Sequence, residues 1–325
     1  MRRAAIREPS PRTGTHDGAG RTVLRAVLRA VAVVAVVAVV LPLAVGCTGG
    51  AAEELKVGGA FGARPTIVFP AAKPGAGLRV DEPTKGGGEP LAAGDVAIVQ
   101  YTAHVWDGAA NRLVDSSFTR GTPAAFPVGE LLPGLERALR GRRVGSRVTA
   151  AIPPEYAFGA APPRGVRAGE ELFYVVDILG AHHKDATVGA GAGTLAGVRI
   201  GGGPRPSLAV PRGAPPQEFT AGVLSRGDGP PAQAGQLVVT QYAGAVWRGG
   251  RVFDATWAGG GPKAFKLGDG GVIKGWDKAL TGVPAGSRVA MVVPPAYGYG
   301  PAGRPEWGIG GSDTLVFVVD LLAAY

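Results

Sequence analysis

Side chains able to do covalent or metal chemistry are scarce in this 325-residue chain, and their positions limit the reactions it can run. The four histidines stand at 16, 104, 182 and 183, so no imidazole is available after residue 183. The single cysteine, Cys47, can form neither an intramolecular disulfide nor a cysteine-based zinc site. Chemistry in the second half must therefore proceed without imidazole or thiolate, and no metal or cofactor is expected. The remaining candidates are carboxylates, hydroxyls and a small set of aromatics: five Trp, seven Tyr and ten Phe. With so few rings, each one is a candidate for packing or binding.

Hydrophobic residues make up 46% of the chain, enough for real cores. Gly and Pro together supply about a quarter of it, without the strict period of collagen. The formal charge is +9, but seven arginines fall within the first 47 residues against only Glu8 and Asp17. No Lys/Arg stripe interleaves with aromatics, so nucleic acid is not an expected partner. From Ala30 to Gly46 runs an uncharged Val- and Ala-rich stretch behind this basic region, the pattern of a secretory signal peptide over 1–46. It ends Leu43-Ala44-Val45-Gly46-Cys47, which resembles a bacterial lipobox. Cys47 is thus expected to be a lipidated mature N-terminus and 47–56 a spacer. Two acyl chains would hold the protein at an extracytoplasmic membrane surface.

The rest of the chain matches itself at a shift of about 141 residues. Gln100-Tyr101 matches Gln241-Tyr242, Val105-Trp106 matches Val246-Trp247, and Gly145-Ser146-Arg147-Val148 matches Gly286-Ser287-Arg288-Val289. Pro153-Pro154-x-Tyr156 returns as Pro294-Pro295-x-Tyr297, and the run ending at Asp177 as the run ending at Asp320. A period this long implies tandem domains and not a solenoid. The expected division is 57–182, a flexible linker over 183–197, and 198–325. Each domain includes a short preceding module, around Gly58–Pro70 and Val198–Pro211.

Within each copy most elements read as strands. Val238 to Tyr242 alternates and is β-branched, Val289 to Val293 is stopped by Pro294-Pro295, and Thr314 to Leu322 suits a central strand. One short helix is expected per copy. Ile273, Trp276 and Leu280 share a helical face over Ile273–Leu280, and Leu132, Leu135 and Leu139 repeat it. The fold class is α+β: in each of two tandem domains, an antiparallel sheet wrapped around a short helix.

Residues 223–325 resemble the FKBP-type peptidyl-prolyl cis-trans isomerases. The matching stretches are Gly227-Asp228-Gly229, Gln241-Tyr242-Ala243-Gly244, Gly250 to Asp254, Val272 to Trp276, Pro294 to Gly300 and Thr314 to Phe317. Residues 82–180 show a weaker version. The chemistry suits a chain poor in reactive groups. Rotation about the peptide bond meets a barrier of roughly 18–20 kcal/mol because it breaks amide resonance. Xaa-Pro is the bond with appreciable cis population. An apolar, water-poor pocket favours the twisted amide over the more polar planar one.

The resemblance implies a role for each pocket residue. Trp276 would floor the pocket, Tyr242, Phe253 and Phe317 would wall it, and Val272 and Ile273 would line its rim. Ile309 would also touch substrate, the Tyr299 hydroxyl would bond the peptide, and Asp254 would orient polar groups near the twisting carbonyl. Phe265 stands two residues after Lys263, where the family often has an aromatic, and Arg304 where it often has His. In the first copy Tyr101 and Asp115 persist, with Leu131 and Leu132 at the rim. Val114, Leu135, Phe158 and Tyr174 replace the Phe, Trp, Tyr and Phe of the second, and Phe118 and Phe126 are candidates to refill the space. The function implied is a prolyl isomerase that acts on Xaa-Pro segments of secreted or cell-surface proteins, mainly through the second domain. Macrolide drugs are implied as possible inhibitors. The competing reading is a non-catalytic chaperone that only holds proline-containing segments.

Overall fold

The computed structural model describes residues 55–108, 111–159 and 161–325, so the expected signal peptide and Cys47 lie outside the described residues. In the first half the strands are β1 (Lys56–Gly58), β2 (Thr66–Val68), β3 (Arg79–Thr84), β4 (Val96–Trp106) and β5 (Asn111–Ser116). The one-turn helix α1 (Ser117–Arg120) follows, then β6 (Ala124–Pro127), α2 (Pro133–Leu139), β7 (Arg147–Ile152) and β8 (Leu172–His182). The second half runs β9 (Gly193–Leu195), β10 (Val198–Ile200), β11 (Leu208–Ala209), β12 (Thr220–Ser225), β13 (Leu237–Val246), β14 (Val252–Ala255) and β15 (Lys263–Lys266). It closes with α3 (Lys274–Leu280), β16 (Ser287–Val293) and β17 (Leu315–Ala324). The two main sheets are antiparallel and share one topology: β3-β7-β8-β4-β5 with β6 also on β4, and β12-β16-β17-β13-β14 with β15 also on β13.

Alternation along the strands decides which side chains meet the helix. Val289, Met291 and Val293 face α3 together with Leu315, Phe317, Val319 and Leu321. From α3 itself, Gly275, Trp276, Ala279 and Leu280 are buried. The helix lies close to the sheet because Gly275 has no side chain; a Cβ there would stand 2.8 Å from Val293. Ile273, expected as the first helical residue, is the cap, with extended backbone (φ −64°, ψ 146°). The first domain also departs from the one-helix expectation through α1, which Ser116 caps by accepting the Phe118 amide.

The opposite faces of the sheets are apolar too, and the preceding modules cover them. The β1–β2 hairpin region lays Leu55, Val57, Ile67 and Phe69 on Trp106, Ala151, Phe173 and Val175. The β9–β11 sheet lays Val198 and Ile200 on Trp247, Ala290, Val292, Val316 and Val318. Each module is also held by a buried ion pair. Arg147 pairs with Asp177 (Nε–Oδ1 2.6 Å) and donates to the carbonyls of Gly59 (2.6 Å) and Ala60 (2.8 Å), while the Gly62 amide donates to Asp177 (2.6 Å). Arg288 pairs with Asp320 (2.6 Å) and donates to the Gly203 carbonyl (2.8 Å), and Val188 N–H donates to Asp320 (3.2 Å). Residues 183–197 are therefore not a free tether as the sequence suggested. They contain β9, and Val188 helps close the second ion pair.

The two domains meet through equivalent faces. Val96 and Ile98 pack with Leu237 and Val239, flanked by Ala125, Ala264, Leu322 and Tyr325. The Tyr325 ring crosses His182 edge-on, with its hydroxyl 2.9 Å from Nε2. It lies so close over Gly180 that any Cβ there would collide with the hydroxyl. Gln241 donates to the Lys184 carbonyl at 2.7 Å, adding a polar tie.

Candidate functional site

In the second domain, β13, β14 and β17 supply the wall of a cavity of about 570 Å³, α3 its floor, and the segment around 298–307 its far lip. Tyr242, Phe253, Asp254, Val272, Ile273, Trp276, Tyr299 and Phe317 all line it. Three rings meet the Trp276 indole nearly at right angles: Tyr242 at 5.0 Å, Phe265 at 5.4 Å and Phe317 at 5.5 Å between centroids. Edge-to-face contact places the positive rim of one ring on the negative face of another, which fixes the floor as well as filling it. Gly244 makes room for this packing. It sits opposite both Phe317 and Asp254 in the sheet, and a Cβ there would approach Phe317 to 2.6 Å and Phe253 to 2.7 Å. The first domain has Ala103 at this position and no such ring pair.

Asp254 is the one carboxylate lining the cavity. The Tyr242 phenol donates to its Oδ2 at 2.5 Å. Burial, and then this bond, raise the phenol's pKa well above its ordinary value, so it stays a proton donor at all physiological pH. The Tyr299 phenol is also raised, by burial first. Its ring packs on the core, stands perpendicular to Trp307 at 6.0 Å and lies under the Arg304 guanidinium at 5.7 Å, and its hydroxyl takes no hydrogen bond among the described residues, which leaves it available to a ligand.

Among the further lining residues, Trp307 was not singled out from the sequence, and Arg304 was noted only as standing where the family often has His. Trp307 stacks on Phe253 (6.1 Å, 19° between planes) and carries Arg304 on its ring at 4.8 Å. Its loop is pinned by Arg251, which donates to the carbonyls of Trp307 (3.0 Å) and Gly308 (2.8 Å). Ile309, expected to touch substrate, is instead a core residue, 2% exposed among the side chains packed under α3. The one signal for Trp307 in the sequence was the stretch Glu306-Trp307-Gly308 itself.

The matching residues of the first domain are also brought together but make a different surface. Leu135 is buried, and Val114, Leu131, Leu132 and Phe158 pack on the same core. Phe126 and Tyr174 flank Tyr101 at 4.9 and 6.2 Å. Phe118 does not refill the pocket and lies beneath the guanidinium of Arg64, 5.8 Å away. The Tyr101 phenol, pushed up to about 12 by burial and by its hydrogen bond to Asp115, also accepts from Arg120 at 2.9 Å. Arg120 forms an ion pair with Asp115 as well. Nothing in the sequence spacing had marked Arg120. Among the described residues no group of three His, Cys, Asp or Glu could hold a metal ion.

A family model described as FKBP-type peptidyl-prolyl cis-trans isomerase matches residues 87–179 and again 229–322. An FK506-binding protein of Streptomyces anulatus is 40% identical over 119 residues, 37% of this chain and 96% of that one. A probable FK506-binding protein of Corynebacterium glutamicum is 33% identical over 122 residues, 37% of this chain and 98% of that one. Among solved structures, the three FKBP domains of wheat FKBP73 cover 77% of this chain and 95% of theirs at 22% identity and a TM-score of 0.32.

Proposed function

Because this chain belongs to the FKBP-type peptidyl-prolyl cis-trans isomerases and carries their domain twice, we propose that its activity resides mainly in the second domain and serves secreted or cell-surface proteins. The observation that carries this assignment is the open aromatic cavity around Asp254, set against the occupied carboxylate of Asp115. Oδ2 of Asp254 is engaged by Tyr242, while Oδ1 takes no hydrogen bond from the described residues. Asp115 has both oxygens engaged, by Tyr101, Arg120 and the Ser116 amide.

In this reading the proline ring seats on Trp276 between Tyr242, Phe253 and Phe317. The rings exclude water from the imide, which removes hydrogen bonds that favour the planar form. As the C–N bond twists, nitrogen becomes more basic and the carbonyl less polar, and no proton or electron leaves the peptide. The Ile273 amide and the Tyr299 hydroxyl hold flanking carbonyls, so that rotation is confined to one bond. Asp254 and Tyr242 present a fixed dipole to the turning carbonyl. FK506-type macrolides, named for the relatives, are proposed to occupy the same cavity.

Trp276→Leu tests the site, since Leu135 shows that the scaffold accepts Leu at this place. Turnover of a Leu-Pro peptide should fall at least about tenfold, or about 1.4 kcal/mol at the transition state, with the fold retained by circular dichroism. A folded variant as fast as wild type would remove Trp276 from the site. The apolar stretch ending in Cys47 supports a lipid anchor at the cell membrane. Cys47→Ser should then move the protein from membrane to soluble fractions of its host, and unchanged partitioning would dismiss the anchor.

A further inference from the structure

The first domain keeps the Tyr–Asp pair of the second, yet its surroundings differ by one side chain that closes the site. Arg120 ends α1, whose cap on Ser116 and left-handed Gly121 (φ 70°) fix the direction of its last residue. From there its guanidinium lies over the Tyr101 ring at 5.3 Å, donates to the Tyr101 hydroxyl and pairs with Asp115. The arginine thus occupies three features a peptide would need: the ring face, the phenol oxygen and the outer carboxylate oxygen, Oδ1, which it shares with the Ser116 amide. The effect shows in exposure, since Tyr101 is buried at 6% while Tyr242 is only half-buried. Counted from the aspartates, the position of Arg120 falls on Gly259, which has no side chain.

We propose that Arg120 is the residue that denies Xaa-Pro peptides the first pocket, and that loss of the aromatic rings is secondary. The proposal rests on the reading that the second cavity is the active one. The Arg120–Asp115 pair is itself solvent-facing, with side-chain exposures of 43% and 48%. Exposed pairs add little to fold stability, so removing the arginine should open the site and leave the domain folded. The reverse graft is not informative, because Gly259 has φ 156°, a backbone that side chains rarely adopt.

The test uses the full chain in four forms: wild type, Trp276→Leu, Arg120→Gly, and the double variant, with Arg120→Ala as a second substitution that favours the helix. Each is assayed on a Leu-Pro peptide after thermal unfolding confirms a native transition. With the second site silenced, Arg120→Gly or Arg120→Ala should raise the remaining activity about five- to tenfold. A folded double variant no faster than Trp276→Leu overturns the plug and leaves the second site intact. If Trp276→Leu alone is as fast as wild type, the second-site reading fails. The plug then stands or falls on Arg120→Gly against wild type: faster supports it, equal rejects it.

Discussion

Arg147–Asp177 and Arg288–Asp320 are the same device in two places: a buried bidentate pair that completes its hydrogen bonds with backbone of the preceding module. Tyr101–Asp115 and Tyr242–Asp254 begin as the same device and end differently, one filled by Arg120 and one facing an open cavity. The first comparison shows what the scaffold demands and the second what it leaves free. A buried ion pair with one partner removed leaves an uncompensated charge, whereas a pocket mouth can exchange side chains at little cost to folding. This is why the copies agree across the main sheets and the buried ion pairs and diverge at Val114/Phe253, Leu135/Trp276, Phe158/Tyr299 and Ala103/Gly244.

The strongest way to break the comparison is at the shared clamp. Arg288→Ala should cost the second domain about 3–5 kcal/mol and release β9–β11, and Arg147→Ala should do the same for the first module. Urea unfolding would read both, with hydrogen exchange on Val198 and Ile200 for the second module and on Val57 and Ile67 for the first. A loss below about 1 kcal/mol would mean that the modules are not held by these pairs. It follows that a fragment beginning at 212 lacks the Gly203 carbonyl and the Val188 amide that complete the clamp, and is a poor proxy for the domain.

A smaller effect sharpens the pocket contrast. The Tyr299 hydroxyl takes no hydrogen bond among the described residues, and Phe158 occupies its place in the first copy. Tyr299→Phe should cost about 0.5–1.5 kcal/mol of transition-state binding, roughly two- to tenfold in kcat/KM, with Tm unchanged. An unchanged rate would place the hydroxyl outside the reaction.

The smallest effect concerns Glu171, which stands where the second domain has Thr314; both donate no side chain to the pocket, and both carbonyls accept the indole-bearing strand's amide, from Trp106 at 3.0 Å and Trp247 at 2.8 Å. Burial, with Glu155 nearby and opposed by Arg79, pushes its carboxyl up to about 7. Between pH 4.5 and 7 the folded state therefore holds a proton that the unfolded chain has released, and stability falls as pH rises. Glu171→Thr should remove that slope, adding on the order of 1 kcal/mol at pH 8 after allowance for solvent screening and nothing at pH 4.5. An equal change at both pH values would assign the effect to packing.

Much of this was legible in the sequence, for reasons that differ by element. Strand alternation and the Trp276 helical face depend on local spacing, so the main sheets and the helices α2 and α3 could be read from order; the eight cavity residues of the second domain were implied by the resemblance to the FKBP-type isomerases. Arg120 could not, because its partners Tyr101 and Asp115 are chosen by the direction in which a one-turn helix ends. The clamps could not either: Arg147 reaches carbonyls 87 and 88 residues away, and no periodicity records such a contact. Ile309 was misplaced because order alone does not say which side of a loop faces inward, and it packs in the core as Val166 does in the first copy.

Gly180 has a consequence for how the copies can change over time. With the Tyr325 hydroxyl resting where its side chain would be, an alteration at this point in the first copy is felt at once by the second. The abutting Val96, Ile98, Leu237 and Val239 share this dependence. A duplicated gene normally frees one copy to drift, but here the freedom is unevenly distributed. The pockets, which do not touch, can take on separate histories, while the joined faces can vary only in matched steps, each copy acting as part of the selective environment of the other.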